Sequence, residues 1–120
     1  FICIPMVHWP DNTMAYMPEE GILFSTDAFG QHYASTERFD DQVPKEKLFH
    51  EAAKYYANIV MPYGAQTLKA LNAALPLKPK MLAPAHGLIW RTYIPEIVER
   101  YFDWAEYKAK DQALVVFDSM

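Results

Sequence analysis

Apolar residues crowd the start of the chain, Phe1-Ile2-Cys3-Ile4-Pro5-Met6-Val7, and this run predicts a buried strand over residues 1 to 7. Two shorter strands are expected at Thr13 to Met17 and Gly21 to Ser25, joined by the turn Pro18-Glu19-Glu20-Gly21. From Ala28 to Val43 the pattern dissolves into a mixed polar stretch, the kind of long loop that carries function inside a compact domain. Pro44 then opens a helix on which Leu48, Ala52, Tyr55, Tyr56, Ile59 and Val60 share one face. Pro62 ends or kinks it. A second helix follows from about Gly64 to Leu75, with Leu68, Leu71 and Leu75 as its apolar stripe. After a short strand, Lys80 to Ala83, the last helix starts near Pro95 and turns Ile97, Val98, Tyr101 and Trp104 or Ala105 inward. Glu96, Glu99, Arg100 and Lys108 face outward. A fresh strand pattern, Ala113 to Phe117, closes the sequence.

This order of elements suits a layered α/β architecture with ligands on the loops at strand ends. With 120 residues, 52% of them hydrophobic and 15% aromatic, the chain matches one modest folded domain rather than a disordered segment. Phe1 already lies inside an apolar run, and the strand at 113 to 117 has nothing left to pair with. The sequence therefore reads as an excerpt from a longer protein, with one unit over residues 1–111 and another beginning at 112–120. A net charge of -4 and eleven scattered Lys and Arg residues argue against a nucleic-acid partner. No apolar stretch approaches the ~20 residues that cross a bilayer, so no membrane partner and a soluble, cytoplasmic setting are expected. Cys3, the one cysteine, is expected to be a buried, inert thiol.

The candidate chemistry lies where strand-like runs give way to turns. His8 sits in Met6-Val7-His8-Trp9-Pro10-Asp11, Asp27 in Phe24-Ser25-Thr26-Asp27-Ala28-Phe29-Gly30, and His86 in Ala83-Pro84-Ala85-His86-Gly87. Taken singly, a histidine after a strand is usually an ordinary hydrogen-bonded residue. Together, a carboxylate and two imidazoles at the ends of buried elements are what a two-metal centre needs: a bridging oxygen ligand and one nitrogen for each ion. Trp9, Pro10, Phe24, Phe29, Pro84 and Trp90 would wall such a site, although composition alone favours Trp9, Phe24, Phe29 and Trp90 as ordinary core. A donor set without thiolate leaves iron, manganese and zinc open. Three ligands are too few for two ions, so further donors are expected upstream of Phe1. Asp11, Asp40 and Asp41 are expected at turns or in solvent, and His50 carries no role.

Four segments bring a resemblance into view: His8-Trp9-Pro10-Asp11, Leu23 to His32 (LFSTDAFGQH), Tyr55-Tyr56-Ala57-Asn58-Ile59 and Ala85-His86-Gly87-Leu88-Ile89-Trp90-Arg91. In this order they resemble the flavodiiron proteins, oxygen or nitric-oxide reductases that join a metallo-β-lactamase-like domain to a flavodoxin-like one. The resemblance implies the C-terminal half of a metallo-β-lactamase-like αββα sandwich, running into the first strand of the flavodoxin-like domain. It also implies two non-haem irons, with His8 on one, His86 on the other and Asp27 bridging. The family's H-x-E-x-D stretch would supply the remaining ligands from upstream. His32 resembles a histidine close to the metals but not bound to them, where it would hydrogen-bond a bound oxygen or nitrogen species. Tyr55 or Tyr56 would point toward the pocket or pack in the core. Val115 to Met120 resembles the strand entering an FMN-phosphate loop, with Ser119 and Met120 beginning a flavin contact.

The activity so implied is reduction of O2 to water, or of NO to N2O, with electrons from FMN. An electron donor such as rubredoxin, a flavin reductase or a deazaflavin would supply FMN, and a head-to-tail homodimer or a tetramer would bring one subunit's flavin to the other's metals. Two alternatives stay open. One is a di-zinc hydrolase of the same fold, acting on an ester or thioester. The other is a scaffold domain that has lost its metals.

Overall fold

A computed structural model describes residues 1–108, 111 and 113 of the chain. The expected strand at 113 to 117, apart from Ala113, and the flavin contacts expected of Ser119 and Met120 lie outside the described residues.

Four strands form one sheet in the order β1-β2-β3-β4: β1 (Ile2–Cys3), β2 (Thr13–Met17), β3 (Ile22–Thr26) and β4 (Met81–Pro84). The first two pairings are antiparallel, with Ile2 opposite Met14 and Tyr16 opposite Leu23. β3 pairs parallel with β4, Leu23 opposite Leu82. A parallel neighbour needs a long crossover, and two helices supply it: α1 (Lys45–Tyr55) and α2 (Gly64–Ala74). After β4, α3 (Ile94–Ala105) packs against α2.

Alternation along the strands decides what is buried. Met14, Leu23 and Leu82 point to the helices and are fully buried. On the opposite face, Ala15, Phe24 and Ala83 line up across three strands, as do Met17, Ile22 and Met81. The described residues leave this second apolar face partly open, with Phe24 45% exposed.

The strand expected over residues 1 to 7 shrinks to Ile2–Cys3, because the chain turns at Pro5 and Met6 to carry His8 back toward β3. Cys3 is consequently exposed at a short edge strand, not buried. The stripe expected at Leu68, Leu71 and Leu75 is rotated. Gly64, Thr67, Ala70, Leu71 and Ala74 face the core, since small residues let α2 approach α3 closely, and Leu68 and Leu75 are only half-buried. Between the helices the chain passes through a π-turn at Tyr56–Val60 and a 3-10 turn at Met61–Tyr63, which takes up Pro62 without breaking the direction of the chain.

The core joins Leu48, Ala52, Tyr55, Tyr56 and Val60 to Phe29, Leu88, Trp90, Ile97 and Tyr101. Aromatic rings meet within it: Phe29 and Tyr101 at 4.5 Å, Tyr56 edge-on to Tyr101 at 5.0 Å, and Phe49 edge-on to Trp90 at 5.4 Å.

Candidate metal centre

Three loops at one end of the sheet carry His8, Asp27 and His86, and each is shaped locally. Around His8, the Met6 and Asn12 N–H groups both donate to Trp9 O, and the Asn12 side-chain amide donates to Val7 O. These bonds curl residues 4 to 12 into a tight turn with Val7 buried beneath it. At the end of β3 the pairing slips between Phe24 and Thr26, a bulge that re-aims the next side chain, which is Asp27. The Ser25 hydroxyl donates to Ala28 O at 2.7 Å, and the Ala28 N–H returns to Ser25 O.

Backbone strain gathers here. Met6 (φ 66°), Thr26 (φ 52°) and Phe29 (φ 67°) are non-glycine residues in the left-handed region, each within two positions of His8 or Asp27. For a β-branched residue such as Thr26 this conformation is a true outlier, of order 1–3 kcal/mol, held only because the surroundings over-determine it. Phe29 shows how. Its N–H donates to the Tyr101 hydroxyl at 2.7 Å, while its carbonyl accepts from Trp90 Nε1 and Gln31 Nε2, both at 2.8 Å.

The result is a carboxylate between two imidazoles. Asp27 Oδ2 lies 3.7 Å from His8 Nε2, and Asp27 Oδ1 lies 3.5 Å from His86 Nε2. Each oxygen thus faces a different ring. Both gaps exceed the 2.7–3.2 Å of a good N–H···O hydrogen bond. They approach the separation of two atoms bound to one ion: two bonds of ~2.1 Å at a tetrahedral angle place their ends about 3.4 Å apart. Among the described residues no three His, Cys, Asp or Glu side chains enclose a single point.

Tyr55 and His32 border this arrangement. The Tyr55 hydroxyl donates to Asp27 Oδ1 at 3.4 Å, and burial together with the Asp27 charge pushes its ionisation well above the usual tyrosine range. The exposed His32 ring stands edge-on to Tyr55 at 4.8 Å and to His86 at 5.5 Å. Tyr56 instead turns into the core against Tyr101 and Trp104. Of the expected wall, Phe29 and Trp90 are buried beneath the loops, whereas Trp9 is 62% exposed and Phe24 lies on the open sheet face. Their side chains follow the strand alternation and the turn at Pro10, not the site.

Two residues that sequence reasoning left aside prove structural. Gln31 is fully buried and bridges the Asp27 and His86 loops. Asp40, expected at a turn or in solvent, is also fully buried, and its carboxylate accepts the N–H groups of Thr92 and Tyr93 just ahead of α3, the latter at 2.7 Å. Only its neighbour Asp41 faces solvent, paired in two-pronged fashion with Arg91.

A parallel strand pair with its connecting helices, and two imidazoles facing one carboxylate at the strand ends, define an α/β protein with a candidate metal site. Residues 1–87 match the family model described as ODP family beta lactamase, and the chain belongs to that family, the metallo-β-lactamase-like part of flavodiiron proteins. Its whole length aligns at 48% identity with a nitric oxide reductase of Moorella thermoacetica, of which it spans 31%. Among solved structures, the flavodiiron protein of Giardia intestinalis superposes with a TM-score of 0.86 at 39% identity, covering 89% of this chain and 26% of that one. Rubredoxin oxygen:oxidoreductase from Desulfovibrio gigas gives 0.85 at 39% identity, covering 90% and 28%. The chain therefore spans less than a third of each of these relatives. No helix among the described residues is long and apolar enough to cross a membrane.

Proposed function

We propose that this chain contributes half of the ligand set of a di-iron centre in a flavodiiron oxidoreductase that reduces O2 to water or NO to N2O. The single observation behind this reading is the division of Asp27, one oxygen toward His8 and the other toward His86. In this reading His8 and His86 would each hold one iron, with Asp27 a ligand shared by both. When bound, the pair of ferrous ions supplies electrons to a small diatomic substrate without changing the protein's own covalent structure.

The residues of the chain do the rest. Tyr55 borders the Asp27 carboxylate with a long hydrogen bond, and the buried Phe29, Trp90 and Tyr101 would form an apolar floor beneath the site. His32, exposed beside His86, would hydrogen-bond an oxygen or nitrogen species at the centre. FMN would reduce the irons, and the domain reading that goes with it assigns residues 1–111 to the metal domain and 112–120 to the start of the flavodoxin-like one. There Ser119 and Met120 would begin the flavin contact. A donor of the rubredoxin or flavin-reductase type, a head-to-tail homodimer or tetramer, and a cytoplasmic setting complete the proposal. The relatives named above, a nitric oxide reductase and a rubredoxin oxygen:oxidoreductase, support it.

Elemental analysis and absorption spectroscopy of the full-length protein test this. About two irons per subunit and a flavin spectrum are expected, with iron lost in Asp27→Ala. Zinc without iron in the purified protein, or full iron retention in Asp27→Ala, would overturn it in favour of a hydrolase or a different site.

A further inference from the structure

Five hydrogen bonds lace the Asp27 loop to the His86 loop, and three of them belong to one residue. The N–H of Gln31 donates to His86 O at 3.1 Å, its Oε1 accepts the Leu88 N–H at 2.7 Å, and its Nε2 donates to Leu88 O at 3.3 Å. That same Nε2 also donates to Phe29 O at 2.8 Å. The carboxamide thus uses its donor and acceptor sides together, grips the peptides on both flanks of Gly87, and is completely buried. Gly87 fits the grip: its φ is +85°, and a Cβ there would collide with the Gln31 carboxamide oxygen. The remaining two bonds, Ala85 N–H to Thr26 O and Trp90 Nε1 to Phe29 O, flank the clasp on either side.

We propose that Gln31 is a positioning residue for the centre: its buried carboxamide fixes the spacing between the Asp27 carboxylate and the His86 imidazole, and so the geometry of the bridged metal pair. Three residues separate Gln31 from Asp27, and one hydrogen bond separates its backbone from His86. His86 itself is half-exposed, and the Gln31 bonds are the ones that grip the peptides directly at it and just beyond it. Glu, the side chain of the same size and shape, has when ionised only acceptor oxygens and no N–H to donate to Leu88 O or Phe29 O. The inference rests on the di-iron reading above, and its test separates the two.

The full-length protein is prepared as wild type, Gln31→Leu, Asp27→Ala and Thr67→Val. Thr67 is an equally buried polar residue on α2, bonded to Tyr63 O just ahead of that helix and away from the centre, and it reports the cost of losing any buried hydrogen bond. Iron affinity is measured by competition with a chelator, and the coupling between the two irons by electron paramagnetic resonance of the half-reduced pair. Gln31→Leu should weaken iron retention about 10–100-fold and alter the coupling, as loss of an outer support of metal ligands does, while Thr67→Val lowers stability with neither change. Wild-type affinity and coupling in Gln31→Leu would overturn the positioning role. So would equal losses in Thr67→Val. Wild-type protein without iron, or iron undiminished in Asp27→Ala, would instead sink the di-iron reading. Should Gln31→Leu fail to fold, Gln31→Glu keeps the shape and replaces the NH2 group that bonds Phe29 O and Leu88 O with an oxygen; unchanged affinity and coupling in it would likewise overturn the proposal.

Discussion

Trp90 donates from its indole Nε1 to the carbonyl oxygen of Phe29 at 2.8 Å, joining two buried residues 61 positions apart. The bond fastens the segment after β4 to the strained turn that presents Asp27. Trp90→Phe keeps an aromatic ring but deletes the donor and opens a small void. Because Phe29 O retains its bond from Gln31, the loss should be moderate, about 1–3 kcal/mol in urea-induced unfolding. An unchanged unfolding midpoint would show that the Gln31 bond alone suffices to hold the turn.

Adjacent acids should behave in opposite ways. Asp40 is fully buried and satisfies two N–H groups at the entrance to α3, so Asp40→Ala strands those donors and should cost about 2 kcal/mol. Asp41 is exposed; the Arg91 hydrogen bonds and charge hold its carboxyl below the usual range, yet solvent screens the pair. Asp41→Ala should leave the thermal midpoint almost unmoved. A larger loss at Asp41 than at Asp40 would reverse this assignment.

The sequence made some of this legible and concealed the rest for a physical reason. Alternation located β2 and β3 within a residue, and the spacing of Leu48, Ala52 and Tyr55 gave the buried face of α1, because both patterns are local. His8, Asp27 and His86 stood out as donor types at strand ends. Gln31 and Asp40 did not, since the partners that join them to the rest of the site lie more than 50 positions away. Local pattern also misled at Cys3, where an apolar run turned out to be a two-residue edge strand, and on α2, where small residues rather than leucines face the core.

Gly30 lies directly under the Tyr55 ring. A Cβ at this position would stand 2.9 Å from Tyr55 Cζ and 3.0 Å from Cε1, so Gly30→Ala must push the ring and lift its hydroxyl away from Asp27. Overpacking of this kind costs about 1–3 kcal/mol. Tyr55→Phe deletes only a hydrogen bond of 3.4 Å, at the limit of useful length, and should cost less than about 1 kcal/mol. Comparing the two by thermal unfolding checks the order; a Gly30→Ala protein as stable as wild type would mean the ring has room to move.

Three buried tyrosines should set the alkaline limit of the fold. Burial pushes Tyr56 up to about 12 and raises Tyr55 and Tyr101 further still. Below pH ~10, the value of an unfolded tyrosine, both states keep these protons and the fold has its full stability. Above it the unfolded chain releases protons that the native state retains, so unfolding becomes easier by about 1.4 kcal/mol per pH unit for each of the three. The Tyr56 contribution stops growing above pH ~12, where its native form ionises too. Measured unfolding free energy should therefore fall steeply from pH 10 upward, and Tyr56→Phe should lower that slope by about a third below pH 12. A slope identical in Tyr56→Phe and wild type would place the alkaline transition on other groups.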